Sequence, residues 1–158
     1  MCGIVGYIGS KEAYPIVLNG LRRLEYRGYD SAGIALFDGA HLHLCKTKGK
    51  VNALAEKFAA QGVPQAQIGI GHTRWATHGV PNDVNSHPHT SNSGALILVH
   101  NGIIENYAAL KTVLQQRGYV FHSDTDTEVL VNLIEEVKKT NNVKLGKAVQ
   151  LALKEVEG

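Results

Sequence analysis

The sequence predicts an α+β layered domain, and two observations carry that expectation. Strand and helix patterns mix along the chain without regular β-α-β alternation, which argues against a doubly wound parallel sheet. At 158 residues, 44% hydrophobic and 19% charged, the chain is long enough for one domain with a substantial core. That domain is expected to cover residues 1–158.

Taken in order, Gly3–Ile8 reads as a short buried strand ended by Gly9-Ser10. Pro15 suits a first helical residue, and Val17, Leu18, Leu21 and Leu24 recur at helical spacing, with Gly28 as the stop. Residues 34–37, Asp38-Gly39 and 42–46 make a hairpin pattern, because Asp-Gly accepts the positive φ of a tight turn. Val51, Leu54, Ala55 and Phe58 predict a second helix closed by Gly62. Residues 67–71 form a strand leading into His72-Thr73-Arg74-Trp75-Ala76-Thr77-His78-Gly79. Residues 75–93 lack periodicity and are rich in Asn, Ser, His and Pro; a loop of this length inside a domain is usually functional or mobile. A strand over 95–100 is broken by Asn101-Gly102. A helix over 107–117 follows, with Asn106 as N-cap, and then a short strand over 119–121. Thr125-Asp126-Thr127-Glu128 matches a capping box, and 143–156 is a last amphipathic helix. The two closing helices have no strand after them, so the domain is expected to be truncated on its C-terminal side.

Composition excludes several classes. A net charge of +2 without a basic run gives no argument for nucleic acid or an anionic membrane. No apolar stretch approaches a membrane span, and no signal peptide pattern is present. Cys2 and Cys45 do not make a disulfide framework, which fits a reducing, cytoplasmic setting. His41, His43 and Cys45 alternate on the hairpin, and His87-Pro88-His89 forms a short tract. Neither offers a fourth ligand at suitable spacing, so no metal and no other cofactor is expected.

The chemistry points to the first residues. If Met1 is removed, Cys2 carries both a thiol and a free α-amine. Such an amine is partly neutral at cellular pH and can take the proton from a thiol. Nucleophile and base would then be one residue; the alternative is a cysteine packed as a small hydrophobe. An amide hydrolase further needs an oxyanion site and a grip on the substrate. Asn101-Gly102 can give a side-chain and a backbone donor, or can simply be a tight turn. Arg74 can hold a carboxylate bidentately, or form a surface ion pair. Asp126 can hold an ammonium, or merely complement a helix N-terminus. Trp75 is either part of a lid or an aromatic packed beneath the long loop.

The motifs Cys2-Gly3-Ile4-Val5-Gly6, residues 22–33, residues 71–79 and Val99-His100-Asn101-Gly102 resemble the N-terminal glutaminase domain of class II glutamine amidotransferases. The resemblance covers the chain from residue 2 to its end. It implies an N-terminal-nucleophile hydrolase fold, a four-layer α/β/β/α sandwich of mostly antiparallel sheets. It implies an enzyme that cleaves the side-chain amide of L-glutamine through a thioester on Cys2. Asn101 and Gly102 would then complete the catalytic set, and Arg74, Trp75, Thr77, His78 and Asp126 would bind substrate, with Arg27 and Gly28 in support. Within the class, Tyr26-Arg27-Gly28-Tyr29-Asp30 and Thr73-Arg74-Trp75-Ala76-Thr77-His78 most resemble members that pass the ammonia to fructose 6-phosphate in a covalently linked isomerase domain. Residues 1–158 are expected to hold the glutaminase domain alone, without that isomerase domain. The full-length enzyme is expected to be a homodimer or higher oligomer. Other class II acceptors, and an inactive or unprocessed glutamine-binding fragment retaining Met1, are the competing expectations.

Overall fold

The computed structural model describes residues 2–76 and 79–158. The expectations concerning Met1, Thr77 and His78 lie outside these described residues. The chain divides into two compact units: one runs to Pro88 and resumes over Val99–Asn101, and the other comprises His89–Leu98 and Gly102–Gly158.

The first unit contains β1 (Gly3–Ile8), α1 (Ala13–Leu24), β2 (Ser31–Phe37), β3 (Leu42–Lys48), α2 (Val51–Gln61) and β4 (Ile68–Arg74). The four strands form one antiparallel sheet in the order β1-β4-β2-β3. The helical spacing of Val17, Leu18 and Leu21 gives α1 one apolar stripe, and α2 supplies Val51, Leu54 and Phe58. Both stripes join Ile34, Leu36 and Cys45 in a single core. Each such side chain, fully buried, contributes roughly 1.5–3 kcal/mol. β2 lies inside the sheet and is buried from Ser31 through Leu36, so it reads as a continuous run rather than an alternating one. A single 3₁₀ turn, Glu25–Arg27, continues α1 to Gly28, whose φ of 74° requires glycine.

The second unit holds β5 (His89–Thr90), β6 (Ile97–Leu98), α3 (Tyr107–Gln116), α4 (Asp126–Asn141) and α5 (Leu145–Ala152). Ile104, Leu114, Val129, Leu130, Leu133, Ile134, Ala148 and Ala152 make its core. Three details depart from the sequence reading. The strand expected over 95–100 shrinks to Ile97–Leu98, because its partner β5 is only two residues long. Residues 119–121 are not a strand: the Val120 N–H donates to Asn92 Oδ1 instead of to a ladder. The last helix stops at Ala152, well short of 156.

Candidate active site

β1 begins one residue after Cys2, so the register of the sheet determines where that cysteine sits. Gly3 pairs with Thr73, and the Gly3 N–H donates to Thr73 Oγ1 at 3.1 Å. A Cβ at Gly3 would come within 2.6 Å of Leu24 Cδ1 and 2.9 Å of Thr73 Oγ1, so a larger residue here would push both side chains aside. Beyond β4 the chain turns past the cysteine: the Trp75 N–H donates to Cys2 Sγ at 3.1 Å, and Sγ lies 3.6 Å from the Trp75 carbonyl oxygen. Cys2 is half-buried, which leaves its sulfur reachable. A third segment arrives with Asn101, whose Nδ2 donates to the Cys2 carbonyl oxygen at 3.3 Å.

The neighbouring residues hold this arrangement. Asp30 Oδ2 accepts the Ala76 N–H at 2.6 Å, and the Asp30 N–H donates to the Arg74 carbonyl, tying the turn after β4 to the start of β2. Trp75 is 54% exposed, and its indole lies 3.3 Å from where a Cβ on Gly28 would be. Arg74, the last residue of β4, is buried and donates from Nη2 to the Gly79 carbonyl at 3.4 Å. Arg27 is exposed and folds back on its neighbour Tyr26, with Nε 3.2 Å from the phenol oxygen. The first unit thus brings Cys2, Gly28, Arg74, Trp75 and Asn101 into one region.

Gly102 and Asp126 belong to the second unit. Asp126 opens α4, is buried, and accepts the Ile104 N–H on Oδ2 at 2.8 Å. The capping box is only half made: Thr125 Oγ1 accepts the Glu128 N–H, but the Glu128 carboxylate takes the N–H groups of His122 and Ser123 instead of reaching back to Thr125.

His72, inside the motif that carries Arg74, is a further member of this region. Its Nε2 stands 2.7 Å from Asn101 Oδ1, it is 1% exposed, and its ring stacks on His87 with centroids 4.2 Å apart. Burial pushes its pKa down to about 4, against smaller opposing effects from hydrogen bonds to Asn101 and the His100 backbone. It is therefore a neutral imidazole at physiological pH. Its signal in the sequence was its place two residues before Arg74, on the same strand and thus on the same face.

The other cysteine is a different kind of group. Cys45 is 1% exposed within the core, and burial raises its thiol pKa. His43 is held by Asp38 at 2.7 Å, so the hairpin histidines and Cys45 do not converge. Among the described residues, no group of three or more His, Cys, Asp or Glu side chains is arranged to hold a metal ion.

Residues 58–146, more than half of the chain, match the glutamine amidotransferase domain. The chain belongs to the glutamine amidotransferase domain family. Among its relatives, a glutamine–fructose-6-phosphate aminotransferase (isomerizing) of Bacteroides thetaiotaomicron is 64% identical over 159 residues, covering 100% of this chain and 26% of the relative. The enzyme of the same name from Chlorobaculum tepidum is 56% identical over 161 residues, again covering 100% of this chain and 26% of the relative. The chain thus spans about a quarter of the length of these relatives. A solved structure of glutamine phosphoribosylpyrophosphate amidotransferase from B. subtilis, complexed with ADP and GMP, superposes with a TM-score of 0.78 at 32% identity. It covers 100% of this chain and 33% of that one. The amidotransferase fold is thus an α+β arrangement of antiparallel sheets, as the sequence predicts. Among the described residues, no helix is long and apolar enough to cross a membrane.

Proposed function

We propose that this amidotransferase domain, spanning residues 1–158, hydrolyses the side-chain amide of L-glutamine with Cys2 as nucleophile. Once Met1 is gone, the α-amine of Cys2 takes the thiol proton and sulfur attacks the amide carbon. The carbonyl oxygen becomes an oxyanion, which the Asn101 Nδ2 and the Gly102 N–H stabilise. Collapse breaks the C–N bond, the α-ammonium returns its proton to the leaving nitrogen, and ammonia departs. Water then cleaves the thioester to give glutamate and regenerate the thiol. One fixed donor at such an oxyanion lowers the barrier by about 3 kcal/mol. Arg74 grips the α-carboxylate and Asp126 the α-ammonium of glutamine, with Thr77 and His78 also binding and Trp75 covering the substrate. Arg27 and Gly28 support that arrangement. The roles of Gly102, Asp126, Thr77 and His78 rest on the resemblance alone.

The observation that carries this reading is the sulfur of Cys2, half-buried, with the Trp75 N–H at 3.1 Å and the Asn101 amide held against its own carbonyl. For the acceptor, fructose 6-phosphate is favoured over phosphoribosylpyrophosphate. The relatives named for the sugar reach 64% identity, whereas the solved phosphoribosyl enzyme reaches 32%. In the whole protein an isomerase domain would receive the ammonia, and the assembly would be an oligomer in the cytoplasm.

A diazoketone analogue of glutamine tests the nucleophile. Mass spectrometry of protein beginning at Cys2 should find one adduct, on the N-terminal peptide. An adduct on Cys45, or none while glutamine is still turned over, would overturn the assignment.

A further inference from the structure

The amide of an asparagine can present either end to its surroundings, and only one end of Asn101 serves an oxyanion. Nδ2 is a donor; Oδ1, turned the same way, would set its lone pairs against the developing negative charge. Something must hold the donor end toward Cys2. The Cys2 carbonyl oxygen, 3.3 Å from Nδ2, only accepts, so Oδ1 faces the other way. There it meets His72 Nε2 at 2.7 Å, and the nitrogen in that contact must carry a proton.

We infer that His72, as the Nε2–H tautomer, is a positioning residue that locks the Asn101 side chain with its amide nitrogen toward Cys2. The inference rests on the glutamine-hydrolysis reading and deepens it.

Three features of the fold suit His72 to this task. Antiparallel pairing sets it opposite Ile4 of β1 and Gly33 of β2, inside the sheet, where its backbone cannot shift. Its ring is clamped by the parallel face of His87, at an interplanar angle of 16°. That clamp depends on Gly33, since a Cβ there would lie 2.0 Å from the His87 carbonyl oxygen. Finally, burial keeps the imidazole neutral, with one proton to place; Nδ1 is buried without a hydrogen-bond partner among the described residues, and the 2.7 Å contact with Oδ1 places the proton on Nε2. A mobile side chain would hold the amide less strictly.

The test uses the complete natural protein with Met1 removed. His72→Phe keeps the ring and its stack but removes the donor; His72→Gln keeps a donor. His72→Phe should lower kcat for glutamine hydrolysis about 10- to 100-fold while KM stays within about twofold, and His72→Gln should recover most of the loss. In an Asn101→Ala background, His72→Phe should cost little more, because the group it positions is gone. Nitrogen NMR of the imidazole should report the Nε2–H tautomer. An unchanged kcat in His72→Phe, an equal loss in the Asn101→Ala background, or the Nδ1–H tautomer would each overturn the inference. A wild-type protein that does not hydrolyse glutamine would overturn the functional reading and this inference with it. Turnover that Cys2→Ala abolishes but His72→Phe leaves intact would overturn the inference alone.

Discussion

Each unit contains a buried polar cluster, and the two are built differently. At the start of α4, the Glu128 carboxylate accepts the N–H groups of His122 and Ser123 and the Ser123 hydroxyl, while Thr125 caps the helix and touches His89 Nε2 at 3.0 Å. Most of these partners lie within six residues of one another, and they satisfy one another. Around Cys2 the partners come from 73 and 99 residues away, with His72 bonded to Asn101 across a further 29, and the sulfur is reachable from outside. Local polar closure builds a helix terminus. Polar groups gathered from distant segments around an accessible nucleophile build a site.

If that contrast is right, the two clusters should fail in different ways. The largest effect should come from Asn101→Ala. It removes a donor at the oxyanion and should cost about 3–4 kcal/mol of barrier, read as a kcat loss of roughly 10²–10³. Because Asn101 is itself exposed, the loss of stability should be confined to the buried His72 N–H that it leaves without its acceptor, about 1 kcal/mol. A large loss of stability in this variant would place Asn101 with the scaffold.

The next effect is set by pH. His72 is held near 4 in the folded protein against an ordinary value of 6.5. Between these values the unfolded chain takes a proton that the folded one refuses. The stabilising contribution is therefore complete above about pH 6.5 and is lost as the pH falls toward 4, by up to about 3 kcal/mol. Arg74 and His100 bear on this ring and also disfavour its charge. Thermal melts of wild type and His72→Gln across this window should converge toward the acid end. Parallel curves would contradict the assignment.

Glu128→Ala should instead act on folding, at about 2–3 kcal/mol, since it strands the buried N–H and hydroxyl groups that the carboxylate now satisfies. Urea denaturation reads the loss, and kcat per folded molecule should stay within about twofold. Gly28→Ala should have the smallest effect, about 1–2 kcal/mol. A Cβ at φ 74° is strained and also meets the Trp75 indole. The Trp75 emission should shift along with the melting temperature.

Much of the fold was legible because periodicity reports burial directly. α1, α2 and the hairpin stand where Val17-Leu18-Leu21, Val51-Leu54 and Asp38-Gly39 place them. The second unit was harder to read. Its strands are two residues long, too short for alternation to show, and Asn92 supplies a bond to Val120 that mimics a strand partner. In the site, Cys2, Arg74 and Asn101 stood out by residue type and by position at strand ends. His72, Thr73 and Asp30 did not, because their roles come from register: Thr73 opposite Gly3, Asp30 bonded to the turn after β4. The pairing of strands distant in sequence cannot be read from the spacing of residues within one strand.

The central claim is that the residue exposed by loss of Met1 performs the chemistry. The direct measurement is glutamate release from glutamine by protein whose intact mass shows that it begins at Cys2, set beside Cys2→Ala at equal folded concentration. The account predicts turnover in the first and a loss of roughly 10⁴-fold or more in the second, with the melting temperature unchanged. Turnover retained by Cys2→Ala would contradict it.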